Sequence, residues 1–222
     1  MRARQTGGVS NVPRDLERLV DEIDGWLELR CPDKALDRLQ PLLERADART
    51  EGLVLRVRAY VATKKHREAL ADLQELRRTD HDPDWLDLTE AWCRKRMQDL
   101  PGAVRCMEQL LQRNPKSAIG HFNLGCYLSL RGDKERALDE VTLACGLDAS
   151  FRDLLWDEPD LDRLHKDSRF KALAEPPEDA TTADPDGAAD EAALEEGEED
   201  FEDGEDEDLA DDDEEGQGGG HN

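Results

Sequence analysis

Between residues 16 and 151, small and apolar side chains return at a fixed interval of 34 residues. Ala35, Ala69, Ala103 and Ala137 mark the interval, each followed by an aliphatic residue: Leu36, Leu70, Val104 and Leu138. Four residues beyond the alanines stand Leu39, Leu73, Met107 and Val141, and three beyond those stand Leu42, Leu76, Leu110 and Ala144. Positions i, i+4 and i+7 share one face of a helix. Twelve residues before each alanine come Ile23, Val57, Ala91 and Gly125, and turn signals such as Gly132-Asp133 lie between. The pattern predicts a first helix, a turn and a second helix in every unit, packed at Gly125 and Ala137 too closely for larger side chains. One such hairpin cannot bury its own apolar face, so the units must stack on one another.

A helix-turn-helix unit of this period resembles the tetratricopeptide repeat. The fourth unit carries the resemblance best: Leu124, Gly125, Leu128, Ala137, Val141 and Ala144 match the family pattern, while Ala149 stands where proline is usual. The third unit keeps that proline as Pro115, and Trp26 and Tyr60 hold the aromatic position of the first two. The third departs in its first helix, where Glu90 and Arg94 occupy positions that should be apolar. Either a one-residue shift or an irregular helix is expected there. The resemblance implies an all-α fold, a right-handed superhelical solenoid of about four repeats at residues 16–49, 50–83, 84–117 and 118–151, preceded by an extension at 1–15. Residues 152–174 are similar to the closing segment of many bacterial arrays. Leu161, Leu164, Phe170 and Leu173 can there cover the open side of the last helix. At the other end, Asn11 and Pro13 read as a helix start, followed by Asp15 and Glu17 where a helix dipole favours acids.

Composition changes abruptly at the end of the predicted cap. Residues 175–222 hold 23 of the 55 Asp and Glu and none of the 30 Lys and Arg. The remaining 32 acids face 30 bases, so residues 1–174 are nearly neutral while the chain carries −25. A segment this acidic and this poor in apolar residues cannot offset its chain entropy, and residues 175–222 are expected to be a disordered acidic tail. Basic clusters at Lys64-Lys65-His66-Arg67, Arg77-Arg78 and Arg94-Lys95-Arg96 invite intramolecular docking of that tail. The same tail would repel nucleic acid, which is not expected as a partner.

The start of the chain has no apolar run and no stretch reaches the length that crosses a bilayer, so a cytoplasmic protein with no membrane association is expected. Cys31, Cys93, Cys106, Cys126 and Cys145 are odd in number and form no Cys-x-x-Cys pair, which suits small apolar fillers in a reducing compartment. The five histidines are scattered without ligand spacing, and no phosphate loop or nucleophile elbow appears. No catalytic residue, metal site or cofactor is expected, and the oligomeric state is open.

In the tetratricopeptide family the first helices line a concave groove. Carried over position by position, its faces here are Glu17, Val20, Asp24 and Leu27; Glu51, Val54, Arg58 and Val61; Trp85, Leu88, Trp92 and Lys95; and Ile119, Phe122, Cys126 and Ser129. The candidate partner-binding residues are Val54, Arg58, Trp85, Leu88, Trp92, Lys95, Ile119, Phe122, Asn123 and Cys126. The two tryptophans are either anchors for a partner or core between repeats. Relatives that grip a terminal carboxylate use basic and amide residues where this chain has Val20, Asp24 and Leu55, although Asn123 fills one amide place. The resemblance therefore implies a non-catalytic scaffold that binds a protein or peptide partner through an apolar groove. The alternative is a chaperone-like protein whose acidic tail engages a basic partner.

Overall fold

The computed structural model describes residues 14–175, all-helical apart from turns and links. Residues 1–13 and 176–222 lie outside it, and with them Asn11, Pro13 and the expected behaviour of the acidic tail. The helices are α1 (Arg14–Glu28), α2 (Pro32–Arg38), α3 (Gln40–Leu43), α4 (Arg49–Ala62), α5 (His66–Leu76), α6 (Pro83–Arg96), α7 (Leu100–Arg113), α8 (Ala118–Arg131), α9 (Lys134–Leu147) and α10 (Ser168–Ala174). Two 3-10 segments, Ala149–Arg152 and Pro159–Leu164, lie between α9 and α10. α1, α4, α6 and α8 are the first helices of four stacked hairpins, closed by the 3-10 segments and α10.

The 34-residue interval is the core. Ala35, Ala69, Ala103 and Ala137 are fully buried, as are Ile23, Val57 and Ala91, and the Leu73, Leu76, Met107, Leu110 and Val141 rows with them. At the fourth hairpin the helices approach closely: a Cβ on Gly125 would lie 2.5 Å from Val141 Cγ2 and 3.1 Å from the Ala137 carbonyl oxygen. Glycine is required there by contact.

Every turn inside a hairpin has the same backbone. Arg30, Lys64, Gln98 and Gly132 all take positive φ, at 53°, 56°, 61° and 91°, and are themselves 34 residues apart. The next residue donates its amide back to the carbonyl five before it, from Cys31 to Trp26, Lys65 to Tyr60, Asp99 to Arg94 and Asp133 to Leu128. This is the left-handed helix stop, which satisfies carbonyls that the helix end leaves open. Glycine meets the left-handed requirement without steric cost only in the fourth repeat.

The first hairpin differs in its second helix. The pattern predicts one helix, and the chain makes two, α2 and α3, with Leu39 between them. Pro41 has no amide to give and its ring crowds the turn before it, so the helix restarts.

The third hairpin corrects an expectation. α6 is a regular helix in register, with Ala91 fully buried, so no shift or irregularity accommodates Glu90 and Arg94. Ionic pairing does so instead. Arg77 donates to fully buried Asp87 (2.6 Å) and to Glu90 (2.6 Å), Arg94 reaches Glu90 (2.7 Å) and Asp99 (2.6 Å), and Arg113 reaches Asp87 (2.5 Å). Burial alone would raise the Glu90 carboxyl, but hydrogen bonds from Arg77 and Arg94 outweigh it and hold it below the usual range. The network stands where two apolar cores meet: Leu86 and Cys93 of α6 join the core of the first two repeats, while Ala91 joins that of the last two and the cap.

The cap closes the second core. Leu155, Leu161, Leu164 and Phe170 are fully buried and Leu173 is half-buried. Trp156 and His165 meet Phe170 ring against ring, at 5.4 and 5.2 Å between centroids.

Candidate functional site

The concave positions follow from the same interval, and one contact shows that successive first helices bring them together. Arg58 of α4 donates to Asp24 of α1, its counterpart one repeat earlier. Around this pair Val20, Leu27, Val54 and Val61 are half-buried. Glu51, one turn before Val54, is half-buried and makes no ion pair among the described residues; burial first, and then the negative charge of Asp24, raise its carboxyl against the opposing pull of Arg58.

The same rows continue along α6 as Trp85, Leu88, Trp92 and Lys95. Trp85 and Trp92 pack against the core of the first two repeats while Leu88 packs against that of the last two, and all three keep partial exposure. His81 stands edge-on to Trp85 with centroids 4.9 Å apart, and His66 edge-on to Trp92 at 5.2 Å. The Arg96 guanidinium lies over the Trp92 ring, 5.0 Å from its centroid. The tryptophans thus both anchor the inter-repeat packing and present a face to solvent.

The fourth repeat is arranged differently. Phe122 is 5 % exposed and stacks on Phe151 at 4.7 Å, and Cys126 is 2 % exposed. The 3-10 segment Pro159–Leu164 packs against α8, and Asp160 within it pairs with Lys95 at 2.7 Å. Ile119 is 44 % exposed and Asn123 half-buried. Of the candidate residues, Val54, Arg58, Trp85, Leu88 and Trp92 share the open part of the face. Lys95 closes its edge against the cap, and Phe122 and Cys126 lie beneath the chain's own closing segment.

Cys126, Glu158 and Asp160 place potential ligand atoms within 4.8 Å of one another. Their chemistry fits a metal poorly. Lys95 already supplies a cation to Asp160, and burial, reinforced by Glu158 and Asp160, holds the Cys126 thiol well above its ordinary value and so protonated. Burial also pushes Cys93 up to about 11 and Cys106 up to about 12, which makes them inert fillers of the helix interfaces.

Asp24 and Glu51 fall on the carried-over faces but are absent from the candidate partner-binding residues, and Asp160 is absent from both. Opposite charges at Asp24 and Arg58, one interval apart, are a signal that could have found the first. Nothing in the spacing relates Lys95 to Asp160, because the cap crosses the face along a path with no repeat.

Among the described residues no helix is long and apolar enough to cross a membrane. No protein-family model and no curated protein matches the chain. Solved structures do. YrrB, described as a TPR protein with an unusual peptide-binding site, superposes with a TM-score of 0.55 at 13 % identity over 72 % of this chain and 82 % of its own. MamA gives 0.53 at 14 % identity over 68 % and 91 %, and the MamA RS-1 ArsTM double mutant gives 0.57 at 12 % over 78 % and 99 %. Identities this low show the fold alone, and that fold agrees with the hairpins and turns above: residues 14–175 have the fold of a tetratricopeptide-repeat solenoid.

Proposed function

We propose that this chain is a non-catalytic protein-interaction scaffold, and that a partner segment lies in the groove over Val54, Trp85, Leu88 and Trp92. One observation carries the reading: half-buried apolar side chains run in register along three first helices, with two indoles among them. Aromatic side chains that keep an open face on a rigid scaffold are favoured anchors for a partner. That YrrB is described as having a peptide-binding site adds support by analogy of fold. Buried thiols held protonated suit the reducing cytoplasm.

Affinity capture with three baits tests the proposal: the full chain, full-length Trp92→Ala, and a chain ending at Glu175. Partners that survive removal of residues 176–222 and are lost with Trp92 support the groove. Retention that follows the acidic segment and falls steeply with salt supports the chaperone-like alternative, which rests on the 23 carboxylates of residues 175–222.

A further inference from the structure

The open part of the groove combines an apolar floor with an unsatisfied negative charge, and the combination selects a partner. Val20, Val54 and Leu88 occupy the same position in three successive repeats and form the floor. Glu17, Glu51 and Trp85 are the matching row to one side, and Asp24, Arg58 and Trp92 the row to the other. In the first two repeats these rows hold three carboxylates, and only Arg58 opposes them, already engaged by Asp24. Of the two carboxylates left over, Glu17 is exposed and Glu51 is half-buried, with burial and the Asp24 charge both working against the ionised form of Glu51.

A partner covering this floor must also cover Glu51. An apolar or acidic segment would strip water from an unpaired carboxylate, which is costly. A lysine or arginine removes that cost, and beside Glu51 in its row stands Trp85, whose indole adds an aromatic surface that favours a cation. Resting on the groove reading above, we infer that the partner segment is a basic amphipathic one, with apolar side chains over Val20, Val54 and Leu88 and a lysine or arginine between Glu51 and Trp85.

Two fluorescent synthetic peptides test this against the full-length protein by anisotropy at low salt. Both are amphipathic helices of about four turns with the same leucine stripe, one flanked by lysines and the other by glutamates. The lysine peptide should bind about tenfold more tightly. Glu51→Gln should weaken it by roughly threefold to tenfold, and Glu51→Lys should reverse the preference. Equal affinities, or a preference that Glu51→Lys leaves unchanged, overturn the inference, the latter placing the lysine peptide elsewhere on this acidic chain. The groove reading has a separate readout in Trp92→Ala, with Leu88→Ser in its place if circular dichroism shows that variant to lose helix. Two peptides that bind alike and are both weakened by that substitution leave the groove standing and remove only the charge preference. If neither peptide binds, or the substitution changes nothing, both readings fall.

Discussion

Adding a single methyl group at Gly125 should weaken the solenoid, and the same addition at Gly25 should strengthen it. At Gly125 the new Cβ would lie 2.5 Å from Val141 Cγ2, where carbon atoms ordinarily stand about 3.5 to 4.0 Å apart. The helices α8 and α9 must part by about 1 Å, or Val141 must leave its rotamer. Overpacking of that kind costs about 1 to 3 kcal/mol, and alanine returns about 1 kcal/mol of helix propensity. The clash involves a branched side chain and a backbone oxygen, so the upper end applies and Gly125→Ala should lose about 2 kcal/mol. In a Val141→Ala background the nearest obstruction is gone, and Gly125→Ala should then cost less by at least about 1 kcal/mol. At Gly25 nothing lies within 4 Å of the added Cβ, and alanine should gain up to about 1 kcal/mol. Urea unfolding followed by far-ultraviolet circular dichroism gives each value, provided the slope with denaturant is unchanged. Additive effects of Gly125→Ala and Val141→Ala to within about 0.5 kcal/mol would refute the argument, because contact between the two residues is what makes glycine necessary.

The left-handed turns predict that Lys64→Gly and Gln98→Gly each raise stability by about 0.5 to 1 kcal/mol, while Gly132→Ala lowers it by about 1 kcal/mol; thermal unfolding midpoints check the signs. Asp87→Ala removes a fully buried acceptor from Arg77 and Arg113, which keep Glu90 and Asp84 as partners, and should cost about 1 to 3 kcal/mol, whereas Asp15→Ala, whose pair with Arg45 is exposed, should hardly move the denaturation midpoint. Glu90 is held below its unfolded value, so its stabilisation is present above the ordinary carboxylate range near pH 4.5 and fades as pH falls through it. The stability gap between the native chain and Glu90→Gln should therefore narrow between about pH 6 and pH 3 in a pH series of urea titrations. Lys95→Ala removes the partner of Asp160 and should raise amide exchange in Pro159–Leu164 more than in α9.

Particular residues show how far the chain could be read without its structure. The rows of alanine and leucine were legible because a helix face repeats every few residues and each hairpin repeats the one before, so local spacing and burial carry the same information. Glu90 and Arg94 misled for the complementary reason. Their partners Arg77 and Asp99 lie just past the end of the preceding helix and at the following turn, and a pattern of apolar positions does not record charge compensation between elements. The break at Leu39 was legible in Pro41 once proline chemistry is weighed against the period.

The candidate groove divides along the same line. Val54, Arg58, Trp85, Leu88 and Trp92 follow from register alone, since helices stacked at one interval align equal positions. That Phe122 lies against Phe151, that Cys126 lies beside Glu158 and Asp160, and that Lys95 is drawn to Asp160, depends on how a non-repeating segment folds back across α8. The sequence by itself determined the helices, their pairing and the rows that face the core, because these arise from short-range periodicity multiplied by repetition. Only the tertiary structure decided which of those rows stay open to a partner, because that depends on contacts between chain-distant residues that no repeat relates.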